Sequence, residues 1–142
     1  MIKDRMVRRN ILTASAVALT AAGLAAAAPP AMFGKSQPGL WELNGIQGTR
    51  VATRLCIADL SQLALVEHRG RGCKAKAIRE TASSVTFTYE CAPNEFGRTE
   101  IDYVTSKNFR IVSQGIAGGL PFAHSVQARR VGDCASKSPP AH

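Results

Sequence analysis

The sequence predicts a mainly β chain: a curved antiparallel meander or partly open barrel of about six or seven strands with one short helix. Three observations carry this. Short stretches of alternating apolar and polar residues recur along the chain, Gly, Ser and Asn residues punctuate them, and four cysteines lie far enough apart to staple a small sheet.

The chain opens on a basic head (Lys3, Arg5, Arg8, Arg9), an apolar run from Ile11 to Leu24, and the small residues Ala25 to Ala28. That order marks residues 1–27 as a secretory signal peptide, cleaved after Ala27. The apolar run has 14 residues, short of the roughly 20 that a membrane-spanning helix needs, so no membrane span is expected in the mature protein. Arg8-Arg9-Asn10-Ile11-Leu12 matches a twin-arginine signal in part, and the general and twin-arginine routes both stay open. Either route delivers the product to the periplasm or outside the cell. Of the 18 Lys and Arg residues, four lie in this leader, as does one of the 10 Asp and Glu residues; the net charge of +8 therefore falls to about +5 on cleavage. A surplus of that size aids solubility and weakly attracts anionic material without naming a partner.

Residues 28–37, composed mostly of Ala, Pro, Gly and Lys with little to bury, read as a flexible lead-in. Residues 38–134 form a single disulfide-bonded β domain, and residues 135–142 a disordered tail. Leu40 and Trp41 start the first strand, which turns through Gly45 to Gly48 into a second ending at Cys56. From Ile57 to Glu67 the spacing of Leu60, Leu63, Ala64 and Leu65, with Asp59 near the start, predicts the short helix. Gly70 and Gly72 end it.

Between Cys73 and Cys91 a hairpin folds about Ala82. It sets Cys73 opposite Cys91, Ala75 opposite Tyr89, Ala77 opposite Phe87 and Arg79 opposite Val85, with Lys74 facing Glu90 and Lys76 facing Thr88. Small residues meet large ones on one side and opposite charges meet on the other. Four cysteines allow three pairings, and spacing alone does not choose; this register predicts Cys73 with Cys91, leaving Cys56 with Cys134. Thr99, Ile101 and Tyr103 then alternate with acidic residues, Ser106 and Lys107 turn the chain, and Phe109, Ile111 and Ser113 follow. Gly115, Gly118 and Gly119 make a loop before a last strand that places Phe122, His124, Val126 and Ala128 on one side.

The segments Pro38-Gly39-Leu40-Trp41-Glu42 and Arg130-Val131-Gly132-Asp133-Cys134, together with a hairpin bracketed by two cysteines, resemble a family of small exported bacterial proteins classed as a domain of unknown function. Members share a PGLWE start, four cysteines and a GxC end. The resemblance covers Pro38 to Cys134. It implies export and paired cysteines and supplies no catalytic residue. This chain departs from the family pattern in a shorter loop after the first strand.

Signals for chemistry are sparse. The cysteines lack metal-ligand spacing and no three-residue metal set is visible, so neither zinc nor any cofactor is expected. There is no nucleophile turn of the GxSxG kind. Asp59, Glu42, Glu100 and Asp102 stand isolated. Of the histidines, His142 lies in the tail, His68 in a basic Gly-rich loop, and His124 beside Phe122 and Val126 with no identifiable partner, which reads as a core-edge histidine bonded to backbone. The basic run from His68 to Lys76 reads as a solvated edge that keeps strands from pairing with neighbours, with a grip on phosphate groups of lipid or polysaccharide as the open alternative. Nucleic acid is an unfit partner, because export removes the protein from it and no aromatic platform interleaves the basic run.

The function expected is that of an exported, non-catalytic module that binds a small apolar or anionic ligand or another exported protein. Trp41, Phe87, Tyr89, Phe109, Phe122 and His124 are the candidate ligand-lining residues, although a lone Trp more often plugs the core. An envelope-directed enzyme whose site assembles only in three dimensions is the alternative, and a protein that docks by a sheet edge the third reading. A closed apolar cavity near Phe87, Tyr89, Phe109 and Phe122 would favour the first, a cleft with a coupled acid or His124 pair the second, and a bare strand edge the third.

Overall fold

The computed structural model describes residues 27–135. Residues 1–26 of the expected signal peptide and residues 136–142 of the expected tail lie outside the described residues. Seven antiparallel strands form one sheet: β1 (Gly39–Asn44), β2 (Thr53–Ile57), β3 (Lys74–Glu80), β4 (Ser84–Cys91), β5 (Glu95–Thr105), β6 (Asn108–Ala117) and β7 (Leu120–Gly132). Their order is β2-β1-β7-β6-β5-β4-β3. Strands β3 to β7 are thus a plain meander, and the first hairpin is added beside β7. The sheet is open, with β2 and β3 as its two edges, which is the meander of the two forms expected. No helix among the described residues is long and apolar enough to cross a membrane.

Two short 3-10 turns, η1 (Ala31–Lys35) and η2 (Leu60–Leu65), lie outside the sheet. The helix expected between Ile57 and Glu67 is η2, a 3-10 segment rather than an α-helix. Leu60, Leu63 and Val66 are all buried; that period of three suits the three residues per turn of a 3-10 helix. Asp59 starts it, its side chain accepting the Ser61 N–H at 2.9 Å. Residues 28–37 are also corrected: Met32 and Phe33 of η1 enter the core at 1% and 6% exposure, so this stretch is packed where a flexible lead-in was expected.

One face of the sheet is buried in rows that run across the strands. Val85, Ile101, Ile111 and Val126 make one row, and Tyr103, Phe109, Ala128 and Leu43 the next. Trp41 stacks on Phe109 with ring centroids 5.3 Å apart, and Phe33 meets Phe109 edge-on at 5.8 Å. Such aromatic contacts add to the stabilisation from area burial.

The β3–β4 register follows the expected pairing from Lys74↔Glu90 to Ala77↔Phe87, then slips by one at a bulge, so that Arg79 faces Thr86 and Glu80 faces Val85. Both disulfides pair as expected, Cys73 with Cys91 and Cys56 with Cys134. The β6 ladder runs on through Ala117, which shortens the expected glycine loop to Gly118 and Gly119.

Candidate functional site

Two further rows continue the buried face towards the Cys73–Cys91 end. Phe87, Thr99, Ser113 and His124 form one, and Tyr89, Gly97, Gly115 and Phe122 the other. Polar residues now replace aliphatic ones at inward positions. Glycine is required at Gly97 and Gly115, because a Cβ on the first would strike the Tyr89 ring and on the second the backbone of Phe96 and Gly97. The slot they leave admits the two aromatic rings.

The segment after η2 lays Glu67, His68 and Arg71 over this end. The His68 side chain is fully buried, its ring 5.1 Å from Tyr89 and 5.7 Å from Phe122. Its Nε2 lies 3.4 Å from Glu95 Oε2 without hydrogen-bond geometry. The other oxygen of Glu95 accepts from the Gly118 N–H at 2.8 Å and from Arg71 Nη1. Those two donors, the Gly118 amide foremost, hold the Glu95 carboxyl below the usual carboxylate range. Burial pushes the Tyr89 phenol up. Thr99 Oγ1 donates to the Ala64 carbonyl at 2.8 Å and lies 2.9 Å from Ser113 Oγ, tying η2 to the sheet.

His124, expected to bond only to backbone, faces a carboxylate instead: Nδ1 lies 3.1 Å from Glu67 Oε1. Its ring stacks on Phe122 at 5.4 Å. Ser113 is its cross-strand neighbour, which sets a serine, a histidine and a glutamate close together. They do not form a relay. The Ser113 hydroxyl is engaged with Thr99, and His124 Nε2 has no hydrogen-bond partner.

The six candidate ligand-lining residues divide between two clusters. Trp41, Phe87 and Phe109 belong to the main core, all at 4% exposure or less. Tyr89 and Phe122 belong to the second cluster, beside His124. Trp41 is the core plug, with its indole N–H unpartnered. Sequence reasoning missed Glu67, His68 and Glu95. Nothing in the Pro93-Asn94-Glu95 turn marked Glu95 as buried.

Open depressions of about 570 and 530 Å³ reach Tyr89 and Phe122 respectively, and a further concavity lies apart from all six. A groove of about 330 Å³ runs between the free edge of β2 and the η2 segment, lined by Leu55, Ile57, Leu65 and Val66 with Gln62 and Arg69 beside them. Arg69 Nε donates to the Val66 carbonyl at 3.2 Å, which fixes the guanidinium at the groove. On the other face of the sheet Glu42, read as isolated, bridges Arg54 and Arg129 at 3.1 Å each. Arg129, then Arg54, lowers its carboxyl from the ordinary range.

An open seven-stranded antiparallel sheet, stapled by two disulfides and buried on one face, is the class of protein these observations define. The chain belongs to the DUF3617 family, proteins of unknown function, whose sequence profile spans residues 36–134 and takes in all four cysteines. No curated protein and no solved structure matches it.

Proposed function

We propose that the mature chain is an exported, non-catalytic binding module that takes a small amphiphilic anion in the groove beside β2. The groove itself carries this reading. Its walls are aliphatic, its volume of about 330 Å³ falls within the range of small-ligand sites, and Arg69 offers a fixed cation where an acidic head group would emerge. The two disulfides are compatible with an oxidising compartment outside the cytoplasm, in keeping with the leader read from residues 1–27.

The enzyme alternative draws on the His124–Glu67 pair. Burial weighs against it: the His124 and Glu67 side chains are 7% and 15% exposed and those of His68 and Glu95 0% and 7%, which leaves little surface for a substrate. Docking through β3 is opposed by the strand's own character. Lys74, Lys76, Arg79 and a bulge make it a guarded edge.

Titration of the labelled protein with decanoate and with decanol tests the groove. Decanoate is expected to shift the methyl resonances of Leu55, Ile57 and Leu65, with decanol weaker by about tenfold, the value of one charge-assisted contact. Arg69→Ala should erase the difference between the two probes. Equal binding of both by the unmodified protein, or shifts confined to other residues, overturns the assignment.

A further inference from the structure

We propose that reduction of the Cys73–Cys91 bridge uncovers a four-donor site for a zinc-class divalent cation, made of Cys73, Cys91, His68 and Glu95. The inference is independent of the groove. His68, Cys91 and Glu95 each present a donor atom within 4.8 Å of the others, and all three residues are buried. Cys73 is covalently joined to Cys91, and its sulfur lies 3.9 Å from the His68 carbonyl.

Two details point to a ligand rather than to a simple ion pair. His68 Nε2 and Glu95 Oε2 are buried and lack hydrogen-bond partners, although they face each other. Native structures rarely leave buried polar atoms in that state without a water or ion. Their separation of 3.4 Å is also what a shared tetrahedral zinc requires: nitrogen and oxygen bonds of about 2.0–2.2 Å at the tetrahedral angle place two donors roughly 3.4 Å apart. Glu95 commits its other oxygen to Arg71 and Gly118, which orients the free one. In metal sites, outer partners of this kind hold a ligand in place.

In the oxidised chain both sulfurs are spent on each other, and a disulfide sulfur is not the thiolate a metal needs. A dithiol reductant changes that. Its thiolate attacks Cys73, the less buried residue of the pair, and the protein S–S bond breaks as the reductant closes its own disulfide. Two electrons and two protons pass to Cys73 and Cys91. Metal binding then expels those two protons, leaving two thiolates, an imidazole and a carboxylate on the ion. Sulfur and nitrogen donors in a tetrahedral set select zinc over magnesium or calcium. The site is absent while the bridge stands and present when it is cut, so the bridge acts as the gate.

Cobalt(II) reads such a site by its thiolate charge-transfer and tetrahedral visible bands. The full mature protein is titrated with CoCl2, oxidised and after dithiothreitol treatment and anaerobic desalting. The oxidised protein is expected to show neither band, and the reduced protein both, saturating at one equivalent and bleached by Zn2+. Cys91→Ser should weaken the charge-transfer band to the Cys73 contribution, and Cys73→Ser with Cys91→Ser should abolish it. His68→Asn and Glu95→Gln should each weaken binding by tenfold or more, on the order of losses seen when metal sites lose supporting groups. Reduced Cys56→Ser/Cys134→Ser protein should keep the full spectrum. The proposal is overturned if His68→Asn and Glu95→Gln bind as the parent does, because thiols alone then account for the signal. It is equally overturned if the reduced chain stays unfolded by near-ultraviolet circular dichroism with cobalt present.

Discussion

The two ends of the buried face are built from the same strands in the same register, yet they are held in different ways. Around Phe109 the rows are aliphatic and aromatic, closed by Trp41 from β1 and Phe33 from η1. Around Tyr89 the further rows carry Thr99, Ser113 and His124, covered by a segment bearing Glu67, His68 and Arg71 and stapled by Cys73–Cys91. Apolar packing needs no partner beyond contact, whereas buried polar groups need specific ones, and here several have none. Stability concentrates at the first end. Chemical potential concentrates at the second.

The sharpest way to break that contrast is Phe109→Ala. Phe109 is fully buried and touches three other aromatic rings, so its removal should cost about 3–5 kcal/mol, measured by denaturant unfolding of the oxidised protein. A loss below about 1 kcal/mol would show that the aromatic end is not the stabilising one. Next in size is the staple: Cys73→Ser with Cys91→Ser opens a loop with a separation of 18 residues and should lower stability by about 3 kcal/mol on chain-entropy grounds. Cutting it should raise amide exchange in residues 66–73 far more than around Phe109. Uniform exchange would erase the distinction between the two ends.

Thr99→Val is gentler, since it keeps the shape and leaves the Ala64 carbonyl and the Ser113 hydroxyl short of a partner. About 1–3 kcal/mol is expected, by the same unfolding measurement. Smallest, and vanishing in acid, is the effect of Glu95→Gln. The Glu95 carboxyl titrates below its ordinary value of 4.5 in the folded state, so its contribution is present above that pH and is lost as pH falls through the lowered folded value. The melting temperature of the parent should therefore fall more steeply below about pH 4.5 than that of Glu95→Gln. Parallel curves would mean that the Gly118 and Arg71 contacts do not stabilise the charged form.

Much of the fold was legible in the chain, and the reasons are local. Strict alternation marked β5 and β7, and opposed small and large residues set the β3–β4 register as far as Ala77↔Phe87. Beyond it the bulge was invisible: Ile78 is neither Gly nor Pro, and on an edge strand with one free side nothing forces the register to hold. Ile78 is 52% exposed. Met32 and Phe33 were hidden by Ala, Pro and Gly neighbours, since a two-residue apolar signal has no period. The candidate site was read less well for the same reason. His68 adjoins a Gly-rich basic loop, and only the tertiary position of η2 against β5 and β6 shows that it points inward. Glu67 and His124 are far apart in sequence, so their pairing leaves no trace in any spacing.

The bond from Cys56 to Cys134 has a mechanical consequence. Tension applied between the two termini reaches Cys56 after β1 and most of β2, crosses the sulfur bridge to Cys134, and leaves the molecule there. Residues 57–133 sit outside that covalent load path, so pulling loads the β1–β7 ladder but cannot unravel the chain of the five-stranded meander while the bridge holds.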